Sequence, residues 1–156
     1  MIDICQAKPE DLDFIFASTL SLHYHEDDGD LKSHAQFEQN LKRWLSLEME
    51  NPNSLFLTAK IDQSPVGFIC ASSMVNDNGL LEASLKGLVS LLWVEPEFRG
   101  KNIASMLLNK TESCLKEIGV SYIECSYTDN NELAKNFWSK QGYFARSVTA
   151  RKVLRD

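Results

Sequence analysis

Long apolar runs are missing from this sequence: no stretch approaches the ~18 residues that a membrane-spanning helix requires. Cysteine is scarce, at 4 in 156 residues, and Cys5, Cys70, Cys114 and Cys125 form no C-x-x-C pair. That spacing argues against a disulfide framework or a zinc site and predicts separate buried thiols in a reducing compartment. Histidine is rarer still, and His23 and His25 sit in no spaced His–carboxylate ligand set, so no metal site is expected. Basic residues are in deficit: Lys+Arg 16 against Asp+Glu 22 gives a formal net charge of -6. That sign disfavours nucleic acid and anionic membrane as partners, and it is compatible with a small cationic substrate. The opening residues 1–5 are too few and too acidic for a signal peptide, so a cytoplasmic location is expected. No repeat, low-complexity tract or linker interrupts the chain, and its 44% hydrophobic and 24% charged residues are globular, not disordered, proportions. One domain over residues 1–156 is expected.

What is present reads as a mixed α/β domain. Residues 2–6 predict a first strand. Pro9, suited to a first helical turn because its missing N–H needs no partner, opens a helix over 9–23 with Leu12, Ile15, Phe16 and Leu20 on one face. Residues 25–30 predict an acidic loop carrying Glu26, Asp27, Asp28 and Asp30. A second helix carries Phe37, Leu41, Trp44, Leu45 and Glu48 along one stripe and stops at Pro52. The period then changes: 55–61 and 66–74 predict a hairpin, and the nearly unbroken apolar run 87–94 predicts a strand covered on both faces. Residues 102–118 predict a helix, 121–127 a strand, 131–141 a helix stopped by Gly142, and 147–154 a closing strand. The predicted order is β-α-α-β-β-β-α-β-α-β.

The chemistry concentrates where the buried strand at 87–94 turns through Arg99 and Gly100 into a helix. Such a turn aims backbone N–H groups outward at a helix N-terminus, where the dipole adds positive potential. This is an anion site suited to phosphate. Gly100 allows close backbone approach, Ala104 keeps the first turn free of bulk, and Arg99 can add charge-assisted bonds. The pattern is neither a Walker A loop nor a dinucleotide fingerprint.

A second block follows the next strand: Asn131, Ala134, Phe137, Trp138, Gly142 and Tyr143 in the spacing N-x-x-A-x-x-F-W-x-x-x-G-Y. Together with Arg99-Gly100-Lys101-Asn102-Ile103-Ala104, it resembles the GNAT superfamily of acyl-CoA-dependent N-acetyltransferases. The first block matches that family's Q/R-x-x-G-x-G/A cofactor motif. The resemblance implies a central mixed β-sheet with helices on both faces and acetyl-CoA bound between two splayed parallel strands. Backbone groups of Leu92, Trp93 and Val94 would pair with the pantetheine arm as an added strand does. N–H groups from Gly100, Lys101, Asn102, Ile103, Ala104 and Ser105 would hold the pyrophosphate, and Asn131 would reach the cofactor. The implied reaction is direct attack of an amine on the thioester through a tetrahedral intermediate, with N–H groups near Val94 polarising the carbonyl. The expected acceptor is a small cationic amine, polyamine- or aminoglycoside-like, with a peptide or protein amine as the alternative and a homodimer as the expected assembly.

Two positions depart from the family pattern. Asn102 stands where a glycine is usual, and asparagine tolerates left-handed or cap geometry better than most residues. Trp138 replaces the tyrosine that often protonates the departing thiolate. Indole offers only an N–H donor and cannot serve, although Trp138 can still cover the thioether. Tyr127 is the candidate acid. For the base, Ser90 can orient a water, Glu82 lies just upstream of the strand, and His23 and His25 have suitable unperturbed pKa values. The competing class is a CoA-binding sensor or regulatory module with little activity, to which Trp138 and the missing strand carboxylate point.

Overall fold

The structure is a computed structural model and describes residues 1–76, 78–82 and 85–155. Its elements are β1 (Ile2–Gln6), α1 (Leu12–Glu26), α2 (Phe37–Glu50), β2 (Ser54–Ile61), β3 (Ser64–Val75), β4 (Leu85–Val94), α3 (Ile103–Glu117), β5 (Tyr122–Cys125) and α4 (Glu132–Lys140). A single 3-10 turn, Pro9–Asp11, leads into α1, and a second, Pro96–Phe98, follows β4. The strands form one sheet in the order β1-β2-β3-β4-β5. Every neighbouring pair is antiparallel except β4 and β5, which run parallel.

Alternation along the strands builds two cores, because successive side chains leave a strand on opposite faces. Phe56, Phe68 and Cys70 meet Ile15 of α1 and Leu45 of α2 on one face. Leu57, Ala59, Ile69, Ala71 and Val89 meet Ile103, Leu107, Leu108 and Leu115 of α3 and Trp138 of α4 on the other. Burying each large aliphatic side chain of α3 contributes about 1.5–3 kcal/mol, which fixes this helix and hence its N-terminus. Gly87 lets α3 and β5 approach β4: a Cβ there would lie 2.9 Å from Leu115 Cδ1 and 3.1 Å from Ile123 Cγ1. Burial pushes the Cys70 thiol up to about 12 and the Cys125 thiol up to about 11, so both stay protonated at neutral pH.

A buried ion pair ties the entrance of α1 to the sheet. Lys60 Nζ lies 2.8 Å from Asp11 Oδ1, and Asp11 Oδ2 also accepts the Lys8 backbone N–H at 2.9 Å. Lys60 is 8% and Asp11 3% exposed.

The structure corrects the sequence reading at three places. Residues 147–154 join no strand ladder; Val148 and Leu154 are 93% and 85% exposed, and Arg151 instead reaches Asp28 Oδ2 at 3.3 Å. Among the described residues the sheet ends at β5, which is only 4 residues long and pairs with no strand beyond β4. The expected loop at 25–30 begins later, because α1 continues through Glu26 and stops at Asp27. Trp44, expected on the inner stripe of α2, is 42% exposed, whereas its neighbour Leu45 is fully buried.

Candidate functional site

The register of β4 creates the site. Its first half pairs with β5, ending at Val89 opposite Cys125, and the two strands then part. On the other edge β4 stays paired with β3 to Val94 opposite Gly67, with a bulge where Cys70 pairs Leu91 and Ala71 pairs Val89. Ser90 is thus the extra residue of the bulge, and a bulge re-aims the strand beyond it. The Glu95 N–H bonds Val66 C=O at 2.9 Å, which makes Val94–Gly67 a non-hydrogen-bonded pair of the antiparallel ladder. By the alternation of that ladder, Trp93 spends its N–H and C=O on Phe68. Leu92 and Val94 turn theirs away from β3, into the fork.

The fork opens a cleft of about 420 Å³ between β4, α1, the start of α3 and the inner face of α4. At one end is the turn after β4. Gly100 and Asn102 are both left-handed, at φ 76° and 61°, a region costly for most side chains but open to glycine and tolerable for asparagine. Asn102 forms the N-cap of α3, and the first bond of the ladder runs from Met106 N–H to Asn102 C=O. The N–H groups of Ile103, Ala104 and Ser105 precede that ladder and carry the positive end of the helix dipole. Arg99 lies beside them; its Nε donates to Val94 C=O at 2.9 Å and its guanidinium stacks 4.7 Å above the Trp93 ring. That stack fixes the cation at the mouth of the turn, and the Trp93 indole N–H is buried without a partner.

The far wall is α4. Gln141 Nε2 donates to Ser105 Oγ at 2.9 Å, fastening its C-terminal end beside the start of α3. Asn131 fastens the other end. Its Oδ1 accepts the Ala134 N–H at 3.1 Å as a helix cap, and its Nδ2 donates to Glu26 Oε1 at 3.0 Å. Trp138 is 6% exposed, wedged edge-on against Phe137 and Tyr143 with ring centroids 5.2 and 4.9 Å away. The Tyr143 hydroxyl donates to Glu112 at 2.8 Å; burial, with that acceptor, pushes its pKa well above the usual tyrosine range.

The structure brings together most residues singled out from the sequence. Ser90, Leu92, Trp93, Val94, Arg99, Gly100, Asn102, Ile103, Ala104, Ser105, Tyr127, Asn131 and Trp138 all line this cleft. Within it, Ile103 sends its side chain into the core, being 1% exposed. Several positions sit differently. Trp93 has no free backbone group for a ligand strand. Asn131 lines the wall, with Oδ1 accepting from Ala134 N–H and Nδ2 donating to Glu26. Lys101 lies outside, its ammonium 5.1 Å over the Phe98 ring. Glu82 is exposed on the β3–β4 connection and away from the cleft. His23 packs on Phe37 at 4.3 Å, whereas His25 reaches the cleft wall.

Sequence reasoning missed Glu26 as a wall residue. It is half-buried at the cleft's second end, and its partner Asn131 is 105 positions away. Only the helical period continued past His23 could have pointed to it.

Comparison with known proteins agrees with this geometry. A model of the Acetyltransferase (GNAT) family matches residues 16–143. Among solved structures, an aminoglycoside N-acetyltransferase in complex with CoA superposes with a TM-score of 0.78 at 16% identity, over 97% of this chain and 95% of that one. A predicted acetyltransferase with acetyl-CoA from Clostridium acetobutylicum gives 0.80 at 15% identity, over 98% and 96%. A ribosomal-protein-alanine N-acetyltransferase from Brucella melitensis gives 0.68 at 17% identity, over 99% and 100%. At these identities the structural likeness speaks for the fold, and with the family match it carries the conclusion: this chain belongs to the GNAT family of acetyltransferases.

Proposed function

We propose that the chain transfers the acetyl group of acetyl-CoA to a primary amine of a small cationic acceptor. The observation that carries this reading is two sets of unpaired backbone donors lining one cleft. One lies on the open edge of β4 at Leu92 and Val94, and the other follows the left-handed turn, at Ala104 and Ser105 at the head of α3. An extended arm with amide groups can pair with the strand edge as an added strand, while a pyrophosphate sits on the helix N-terminus. Arg99 supplies the cation at the phosphate end. In this reading the N–H groups of Leu92 and Val94 polarise the thioester carbonyl, where a donor acts most strongly out of water. Ser90 at the bulge orients a water that helps remove the ammonium proton, and the Tyr127 hydroxyl donates to the departing thiolate. Trp138 stiffens the wall over the arm. The acidic balance of the chain supports a cationic acceptor, and the free, protonated thiols of Cys70 and Cys125 suit a reducing cytoplasm.

The test is thiol release from acetyl-CoA with a panel of amines: 1,4-diaminobutane, spermidine, an aminoglycoside and a peptide with N-terminal alanine. Release above the no-amine control is expected with at least one of the first three. Tight acetyl-CoA binding with no amine-dependent release would instead favour a sensor, and release with the peptide alone would move the acceptor class to proteins.

A further inference from the structure

We propose that Gln141, at the end of α4, is a positioning residue for the phosphates of acetyl-CoA: it holds the Ser105 hydroxyl so that its O–H is aimed into the cleft, adding a side-chain donor to the backbone cradle. The inference rests on the acetyl-CoA reading above and extends it from the head of α3 to a residue of another helix, one that does not itself line the cleft.

Three observations converge on it. The first is the Ser105 hydroxyl itself. A hydroxyl has one O–H to donate and two lone pairs with which to accept. Gln141 Nε2 donates to Ser105 Oγ at 2.9 Å. That contact engages a lone pair and leaves the O–H free, and among the described residues no acceptor takes it. Other helical hydroxyls behave differently. Thr111 and Ser113 of the same helix, and Thr19 and Ser21 of α1, each donate to the carbonyl four residues back. For Ser105 that carbonyl belongs to Lys101, ahead of the N-cap Asn102, so no carbonyl of the helix stands in that position. Ser105 lines the cleft, and its backbone N–H is already one of the free donors at the head of α3.

The second observation is how firmly Gln141 is placed. It is the C-cap of α4, and its N–H bonds the Phe137 and Trp138 carbonyls at 3.1 Å. Gly142 follows in the left-handed region at φ 86°. The Gly142 N–H reaches Ser139 C=O at 3.1 Å, and the Tyr143 N–H reaches Trp138 C=O at 2.9 Å. Those two bonds form a Schellman motif, so the backbone that carries the Gln141 amide is pinned by the helix end. The third observation is the chemistry of the contact. The two residues are 36 positions apart and meet through an amide N–H, which can only donate. A carboxylate at this point would accept the Ser105 O–H and turn it from the cleft. A donor at this point leaves the O–H for an acceptor on the cleft side. The acceptors that acetyl-CoA brings there are phosphate oxygens, and a hydrogen bond to an ionised acceptor is about twice as strong as a neutral one.

The test uses the full chain and measures acetyl-CoA affinity by calorimetry for the wild type, Ser105→Ala, Gln141→Met and the double variant. Ser105→Ala removes the donor and is expected to weaken acetyl-CoA binding about tenfold, the scale of a hydrogen bond to a charged group. Gln141→Met keeps the length of the side chain but releases the hydroxyl rotor, and should weaken binding about threefold. In the Ser105→Ala background the same substitution should cause no further loss, because both residues act through one hydrogen bond and their effects are not additive. Gln141→Glu, which accepts the O–H and adds a negative charge, should lose more than Gln141→Met. Acetyl-pantetheine, which lacks the phosphates, should bind much more weakly and alike to every variant. Wild-type affinity for acetyl-CoA in Ser105→Ala, Gln141→Met or Gln141→Glu overturns the proposal. So does a Gln141→Met loss that persists undiminished in the Ser105→Ala background, or one equally large with acetyl-pantetheine, since Gln141 would then act by holding α4 and not through the hydroxyl. A wild type that binds acetyl-pantetheine as tightly as acetyl-CoA overturns the underlying reading of the cradle and the proposal with it.

Discussion

Replacing Ala104 with glutamate should lower acetyl-CoA affinity by about 100-fold or more while the protein stays folded. Ala104 is the second residue of α3, lines the cleft and lies ahead of the first helical hydrogen bond. A carboxylate there would fill the approach to the N–H cradle and set a negative charge against a pyrophosphate. Two unit charges about 5 Å apart at an effective dielectric near 20 repel by about 3 kcal/mol, or roughly two orders of magnitude in affinity. The same substitution does not harm the helix, because an acidic residue in the first turn of a helix complements its dipole. Binding and folding are thereby separated. Ala104→Gln, which adds the bulk without the charge, should fall between wild type and Ala104→Glu when the three are compared by calorimetry.

The largest effect on stability is expected from Lys60→Met. Removing the ammonium leaves the Asp11 carboxylate buried at 3% exposure with the Lys8 N–H as its remaining partner. Breaking a buried pair on one side costs about 3–5 kcal/mol, whereas replacing both members by apolar groups is often close to neutral. The single variant should therefore melt on the order of 10 °C lower, and Lys60→Met with Asp11→Leu should recover most of the loss. The pair also sets an alkaline limit. The hydrogen bond to Asp11 raises the Lys60 pKa above its ordinary 10.5, outweighing the opposing effect of burial. A raised pKa in the folded state means that the contribution is fully present below the unfolded value and is lost as pH rises through the folded value. Wild-type stability should accordingly fall above about pH 10.5, and the doubly apolar variant should show a shallower fall over that window. Denaturant titrations at neutral and alkaline pH measure both effects.

Both expectations bear on how far the sequence specifies this molecule. Helices α2, α3 and α4 were legible because each carries a 3.6-residue apolar stripe ended by Pro or Gly, whereas α1 has no such stop and runs on to Glu26; the N–H cradle was legible because Gly100, Asn102 and Ala104 fall within five consecutive residues. The bulge at Ser90 was not, since it depends on how Cys70 and Ala71 pair across the sheet. That pairing also decides that Leu92 and Val94, but not Trp93, offer their backbones to the cleft. Glu26 read as one charge of an acidic loop, and only the contact with Asn131 separates it from Asp28 and Asp30. Residues 147–154 alternate well enough to suggest a strand, but a strand needs a partner edge, and β5 takes none among the described residues. The buried partner of Lys60 is likewise non-local. Periodicity reports which face of an element is apolar; it carries no information about register between elements.

Backbone amide resonances report directly whether acetyl-CoA lies along β4 and against the head of α3. On titration of the ¹⁵N-labelled protein with acetyl-CoA, the amides of Leu92, Val94, Gly100, Asn102, Ala104 and Ser105 should shift together and saturate at one equivalent. The Trp93 amide, bonded within the sheet, should move less than its two neighbours. Saturable binding that leaves these six amides in place while shifting those of another surface would contradict the assignment of the cleft.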